Sequence, residues 1–432
     1  MLREFLQELE KQNKIEEIEK EFDIKSEKIS LEMKKLEGKA VVFKNIKDYE
    51  NCKILANICS SRELIAKALQ TTKEQILFRM LNAMKNPLSY EIVEKACFLE
   101  NKIKEPNIIE HIPLLTFFGK DKPFYTTSTI VCAKTKDGKI MNYSFHRLMY
   151  LGENKFAIRI IPGRHLDRIT DTWENEIPIA IFCSVHPAVE LACATSLEFG
   201  KNELELANAL LNGNLTCYNL KGFHIPSHAE IVMIGKIKKN ELVEEGPFAD
   251  LTETWDVIRK QPIVEIEELY YRNEFIYRTI LPSGAEHKFL MGLPQEPRIY
   301  SIVSNTLPRV KNVCLTQGGC CWLHAVVSIE KKKEGEGKNV GLAALAAHPS
   351  LKRVVVVDDD IDIFDEKQVE WAIATRVQPK EDIIIIPSCK GSSLDPSQKE
   401  DGTTDKWIID ATKPLKEKQK FERIKFGEIS EN

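Results

Sequence analysis

The 432-residue sequence has no C-x-x-C pair, no G-x-G-x-x-G and no Walker-type phosphate loop. It therefore carries neither the cysteine spacing of a metal or redox motif nor a glycine-rich cradle for a nucleotide phosphate. Long apolar runs are also missing: the longest, Ile177–Cys183 and Ile383–Pro387, are far too short to cross a bilayer. Neither sign of charge dominates, with 61 basic against 65 acidic residues and a net charge of −4, so nothing global calls for nucleic acid or an anionic membrane. Arg3, Glu4, Glu8, Glu10 and Lys11 interrupt any apolar stretch at the start, which does not read as a signal peptide. No repeat or low-complexity tract stands out. Glutamine is scarce while Lys, Glu and Ile abound, a balance found in proteins of hot-growing organisms.

What is present describes a soluble globular chain, with 43% hydrophobic and 29% charged residues, long enough for two or three domains. The 11 cysteines are odd in number and mostly in apolar settings such as Ile181-Phe-Cys183 and Leu191-Ala-Cys193. They read as reduced core thiols of a cytoplasmic protein.

Three textures follow one another. Residues 1–105 read as a small α/β unit. It opens with an amphipathic helix on Leu2, Phe5, Leu6 and Leu9, continues through a strand at Val41–Phe43, and has a capping box at Ser60-Ser-Arg-Glu63 that starts a helix to Leu69. Residues 106–307 read as a split β-barrel with helical insertions. Thr126–Lys134 and Ile140–Leu151 form a hairpin about Lys136-Asp-Gly-Lys139, and further strands are expected at Lys155–Ile161, Ile177–Cys183, Glu230–Ile237, Glu265–Tyr271 and Phe275–Leu281. Helices are expected at Pro187–Leu197 and Glu203–Leu211. Residues 308–432 read as a C-terminal α/β domain on a largely parallel sheet, with strands at Cys314, Val326–Ile329, Val354–Val357 and Ile383–Ile386 and helices at Gly335–Ala347 and Lys367–Thr375. The charged Ser397–Asn432 segment is expected to extend over a neighbouring surface. The fold class is thus a multidomain α+β and α/β chain.

The most informative stretch is Glu245-Gly-Pro-Phe-Ala-Asp250. Gly246 and Pro247 forbid a helix and force a tight loop, so both carboxylates can turn into one cleft. A low-dielectric cleft would push their proton affinities apart, leaving one ionised and one able to carry a proton. Upstream, strand alternation puts Asn142, Ser144 and His146 on one face, with Arg147 at the other parity. A polar outer strand face accounts for that pattern equally well. His165 follows a Pro162-Gly163 turn, and Glu203 opens a helix where a dipole or capping role is the default. No pair among these residues makes an H-x-x-x-H motif. An Asn oxygen, a His nitrogen and a Glu oxygen would form a mostly hard ligand set suited to Mn²⁺ or Mg²⁺. Asp358-Asp-Asp360 and Asp362 read as turn or cap residues rather than a metal site. Gln317-Gly-Gly-Cys-Cys321 reads as a tight turn, and Lys331–Lys333 and Lys413–Lys420 as solvated charge runs.

Taken together and in order, these blocks resemble the UbiD family of non-oxidative, reversible decarboxylases over essentially the whole chain. The blocks are Leu2-Arg-Glu-Phe-Leu-Gln-Glu-Leu-Glu, Asn142-x-Ser-x-x-Arg147, Arg164-His165, Glu203-Leu-Glu-Leu-Ala207, Pro226-x-x-Ala-Glu-Ile-Val232, Glu245-Gly-Pro-Phe248, Val357-Asp-Asp-Asp-Ile-Asp362, Trp371-Ala-Ile-Ala-Thr-Arg376 and Leu394-Asp-Pro396. The resemblance implies prenylated FMN as cofactor, its phosphate held through Mn²⁺ with a monovalent cation such as K⁺ nearby. It implies Asn142, His165 and Glu203 as metal ligands. The flavin-contacting positions fall on Ser144, Phe145, His146 and Arg147, on Arg159, Ile160 and Ile161, and on Arg164 and His165. The catalytic set falls on Arg147, Glu245 and Asp250, with Asp250 supplying a proton after carbon dioxide leaves and Glu245 orienting Arg147.

Two departures stand out. Ala249 occupies a position where the family usually has Gly, and Leu251-Thr-Glu-Thr-Trp255 replaces a His/Tyr-containing continuation, which reshapes the substrate pocket. The substrate implied is an unsaturated carboxylic acid. Within the family's archaeal branch this is trans-anhydromevalonate 5-phosphate, giving isopentenyl phosphate; the alternative is a 4-hydroxy-3-polyprenylbenzoate or related aromatic acid. The partners implied are a separate flavin prenyltransferase and further copies of the chain, as dimer or hexamer. A non-catalytic flavin- or phosphate-binding protein and a metal-dependent hydrolase are the competing classes.

Overall fold

The computed structural model describes residues 1–119, 123–421 and 423–424. By internal contacts the chain divides into two compact units, Met1–Pro294 and Gln295–Asn432.

In the first unit the opening helix, Leu2–Lys11, buries Leu2, Phe5, Leu6 and Leu9, the stripe that the sequence spacing predicts. It precedes a four-stranded sheet ordered Ile15–Phe22, Ala40–Ile46, Cys52–Ala56 and Phe275–Arg278. The last strand, expected among the central strands, pairs in parallel with Cys52–Ala56 instead. Its final residue, Arg278, is fully buried and ion-paired to Glu190 and Glu286 at 3.1 and 2.5 Å. The helix after Ser60-Ser61 runs Arg62–Ala68, but its cap is Ser61, which accepts from the Leu64 N–H. Ser60, the expected cap, instead accepts from the Gly38 N–H and donates to the Asn57 carbonyl.

The central element is a nine-stranded sheet in which every pairing is antiparallel, curled as a split barrel. Its spine is a long ribbon of Ile231–Glu245 against Arg259–Tyr271. A bulge at Ile234/Gly235 bends the ribbon, and a Cβ on Gly235 would stand 2.2 Å from the Glu265 carbonyl oxygen, so only glycine fits. The expected continuous strand Ile140–Leu151 is broken. Met141–Phe145 pairs with Ile130–Lys134, whereas Leu148–Gly152 pairs with Tyr125–Thr126 and Lys155–Ile158. His146 and Arg147 occupy the break. The helices Pro187–Ala194 and Glu203–Leu210 form where the sequence puts them.

The second unit holds a five-stranded sheet ordered Val310–Leu315, His324–Ile329, Arg353–Asp358, Thr403–Ala411 and Ile383–Lys390. It is mixed rather than largely parallel, because both edge strands run antiparallel to their neighbours. Thr403–Ala411 lies inside the segment expected to be a surface extension, yet it is a central strand with Ile408 and Ala411 fully buried. The remainder of that segment at 422 and 425–432 lies outside the described residues. The helix Glu336–Ala347 sits so close to this strand that a Cβ on Gly341 would come within 2.3 Å of Ile408 Cγ2. Lys331 is buried rather than solvated, donating to Thr412 Oγ1 at 3.0 Å. Asp358 and Asp360 are taken up by Arg376, at 3.3 and 2.8 Å.

Candidate active site

The break after Phe145 organises two groups of side chains along six consecutive residues. Asn142, Ser144 and His146 do share one face. Asn142 Nδ2 donates to Ser144 Oγ at 3.0 Å, Ser144 Oγ lies 3.0 Å from His146 Nε2, and His146 Nδ1 lies 2.8 Å from the Arg159 carbonyl oxygen. A carbonyl can only accept, so His146 carries its proton on Nδ1 and accepts a hydrogen bond from the Ser144 hydroxyl on Nε2. Burial lowers its pKa to about 4, which keeps the ring neutral. The relay fixes the Asn142 amide with Oδ1 turned away from Ser144. That oxygen lies 3.0 Å from His165 Nδ1, on the first residue of the helix His165–Thr170.

Met141–Phe145 is the edge of the central sheet, and the Tyr143 N–H on its open side donates to Glu203 Oε2 at 3.0 Å. Glu203 begins its helix at the capped end, behind Asn202, and is 2% exposed. Burial pushes its pKa up to about 8, offset only in part by hydrogen bonds from backbone N–H groups. Asn142 and His165 thus meet directly, and Glu203 joins them through the next residue, Tyr143. Among the described residues no three His, Cys, Asp or Glu side chains cluster as a metal site; this trio has an amide as its third member.

Arg147, in the break beyond that strand, anchors the second group. Its Nε and Nη2 make parallel hydrogen bonds of 2.9 Å to Glu245, the buried last residue of the long ribbon strand. Nη1 lies 3.4 Å from Asp250 Oδ2, and the guanidinium stacks 4.3 Å from the Phe248 ring centroid. The two carboxylates of the 245–250 loop therefore do turn into one place, about one guanidinium. Burial alone would lower the pKa of Arg147, but Glu245, Asp256 and Asp250 outweigh it and hold the group charged. Gly246, with φ of +115°, makes the turn. Ala249 is extended and pairs with Trp255 in a short ladder, so the alanine is accommodated without strain.

Three further side chains belong to this network and carried no sequence signal. Tyr125 OH donates to Glu245 Oε1 at 3.0 Å. Asp256 Oδ2 accepts from Arg147 Nη2 at 2.9 Å. His287 is half-buried, edge-on to Phe248, and its Nδ1 accepts from the Ser283 N–H. Asp256 directly follows the departing Leu251–Trp255 segment. Of the remaining expected contact positions, Phe145 ends its strand and Ile160 donates its N–H to Gln261 Oε1 at 2.8 Å. Ile161 and Arg164 stay exposed on the turn before His165.

Models of three consecutive domains of 3-octaprenyl-4-hydroxybenzoate carboxy-lyase match the chain: the N-terminal domain at residues 6–84, the Rift-related domain at 91–285 and the C-terminal domain at 288–411. The anhydromevalonate phosphate decarboxylase of Methanothermobacter thermautotrophicus is 43% identical over 393 residues, covering 90% of this chain and 92% of the relative. That of Methanocaldococcus jannaschii is 45% identical over 408 residues, covering 92% and 94%. Among solved structures, the UbiD-class enzyme HmfF from Pelotomaculum thermopropionicum in complex with FMN superposes with a TM-score of 0.95 at 36% identity, covering 99% of this chain and 98% of that one. An evolved dimeric form of HmfF in complex with prFMN gives 0.91 at 35% identity, covering 100% and 98%.

Proposed function

The chain belongs to the UbiD family and is a prenylated-FMN-dependent decarboxylase, and from that premise we propose trans-anhydromevalonate 5-phosphate as its substrate, converted to isopentenyl phosphate and carbon dioxide. The archaeal relatives named for this activity, at 43% and 45% identity over nine-tenths of the chain, support the substrate. The observation that carries the chemistry is Arg147 held by Glu245 on one edge and reaching Asp250 on another.

In this reading Asn142 Oδ1, His165 and Glu203 hold Mn²⁺, with a monovalent cation such as K⁺ beside it. Glu203 supports the fit: a buried carboxylate whose donors among the described residues are backbone N–H groups needs a cation to stay ionised at neutral pH. The oxygen–nitrogen–oxygen set suits Mn²⁺. Ser144, Phe145, His146, Arg147, Arg159–Ile161 and Arg164–His165 border the flavin. When bound, prenylated FMN supplies the electron sink for the carbon–carbon bond that breaks. Arg147 balances the substrate carboxylate, and Glu245 fixes its orientation through two charge-assisted hydrogen bonds. Asp250 gives its proton to the carbon that lost carbon dioxide and regains one from solvent, which its partly open side chain can reach.

A separate flavin prenyltransferase supplies the cofactor, and the protein works in the cytoplasm as a homo-oligomer, dimer or hexamer. Eleven free cysteines suit a reducing compartment. No helix among the described residues is long and apolar enough to cross a membrane. The division into segments 1–105, 106–307 and 308–432 remains our reading of the domains.

The test is an anaerobic assay of protein co-produced with a flavin prenyltransferase, offered the phosphorylated acid and a 4-hydroxy-3-polyprenylbenzoate. Isopentenyl phosphate is the expected product. Turnover of the aromatic acid alone would overturn the substrate, and full turnover by flavin-free protein would overturn the cofactor. Light scattering that finds only a 49.4 kDa species would overturn the oligomer.

A further inference from the structure

The Arg147 network contains a second cation whose donors the fold leaves open. Arg259 stands directly across the long ribbon from Glu245, so the two side chains rise from one face of the sheet. Its Nη1 is committed, donating to Asp256 Oδ1 at 2.6 Å and to the Val257 carbonyl at 3.1 Å. Nε and Nη2 have no protein partner among the described residues, and the side chain keeps 30% of its exposure. The other oxygen of Asp256 holds Arg147, so one carboxylate separates Arg259 from the guanidinium that faces Asp250.

A third guanidinium shares this neighbourhood. Among the described residues no carboxylate lies within ion-pair distance of Arg159, whose Nη1 reaches only the Ile160 carbonyl at 3.1 Å. Burial, then the positive charges of Arg259 and Arg147, lower the pKa of Arg159, which reflects how near the three cations stand. Glu245, Asp250 and Asp256 would balance them. Once Asp250 carries the proton it donates, positive charge is in surplus, and the open donors are those of Arg259 and Arg159. An open guanidinium fork in such a field matches the oxygens of a phosphate dianion.

We propose that Arg259, with Arg159 beside it, forms the subsite for a phosphomonoester carried by the substrate a few bonds from the carboxylate that leaves. The inference rests on the decarboxylase reading above and adds the residues that select a phosphorylated acid. Asp256 sets the spacing: one oxygen for the cation at the reacting carboxylate, one for the cation at the phosphate.

The test compares cofactor-loaded wild type and Arg259→Gln on the phosphorylated acid and on the same acid with a free hydroxyl. The ratio of the two kcat/KM values should fall about 10- to 100-fold in the variant, the range for losing a hydrogen bond to a charged group. Arg259→Lys should give an intermediate ratio, and Arg159→Gln should lower it too; these stand in should Arg259→Gln not fold. Inorganic phosphate should compete with substrate on wild type and much less on Arg259→Gln. Flavin content, read by absorbance, should not change in Arg259→Gln or Arg259→Lys. Loss of flavin would assign Arg259 to the flavin's own phosphate and overturn the subsite. A wild type that prefers the phosphorylated acid, with the ratio unmoved in all variants, would overturn it while leaving the function standing. A wild type that decarboxylates neither acid would overturn the function itself.

Discussion

Arg147 meets Glu245 edge to edge, two nitrogens against two oxygens at 2.9 Å, with Glu245 wholly buried at the end of its strand. The pair has one geometry open to it, and that geometry aims the third nitrogen at Asp250. Glu245→Gln keeps the shape and removes the charge, so Arg147 turns towards the remaining acids. Misplacement on this scale lowers kcat by about 10²-fold. Arg147→Lys should do no better, because an ammonium cannot make the paired contact. Steady-state kinetics on cofactor-loaded variants check both.

Asp250 and Glu203 should separate cleanly. Asp250→Asn is expected to retain metal and flavin but lose about 10²–10⁴-fold in turnover, the usual contribution of a general acid. Glu203→Gln removes a ligating charge and should lose Mn²⁺ and, with it, flavin. Bound metal and flavin absorbance, measured beside turnover, report the two. If Asp250→Asn drops its flavin while Glu203→Gln keeps metal and cofactor, the roles are reversed.

His186 makes stability depend on acid. Its Nδ1 accepts from the Ala188 N–H at 3.1 Å to cap the helix Pro187–Ala194, and burial, helped by the nearby N-terminal amine, lowers its pKa to about 4. The unfolded chain binds this proton near pH 6.5. Stability from this group is therefore full above about pH 6.5 and is lost as pH falls towards 4, by about 3 kcal/mol at most. Urea midpoints at pH 7 and pH 4.5 should diverge less in His186→Asn than in wild type.

Arg278 balances two acids where water does not reach. Arg278→Met leaves Glu190 and Glu286 buried without their cation and should destabilise the first unit by about 3–5 kcal/mol. Urea denaturation reads the loss. A change under 1 kcal/mol would mean that the acids are already neutral in the folded state.

Period-two alternation made the relay from Asn142 to His146 legible, because a strand face is a local property. The meeting of Glu245 and Asp250 was legible for a related reason: Gly246 and Pro247 leave the chain few routes. Asp256 was not, since its place depends on Phe248–Ala249 pairing back onto Trp255–Asp256, a register that no local pattern encodes. The central strand Thr403–Ala411 was hidden by composition. Lys406 and Asp410 read as surface, yet Lys406 is buried and spends its charge on the Pro349 carbonyl at 2.5 Å. Ala249 departs from the family's usual Gly, but the extended backbone there asks nothing that alanine lacks.

The strand Phe275–Arg278 closes a sheet whose other three strands end by Ala56. During synthesis those three strands leave the ribosome more than two hundred residues before their fourth partner. Until then the Cys52–Ala56 edge stands open, with the backbone groups that Phe275–Arg278 will occupy still unpaired, a template for wrong strands. A sheet begun early is thus among the last completed, and the nascent chain depends on keeping that edge covered while the barrel is built between its two halves.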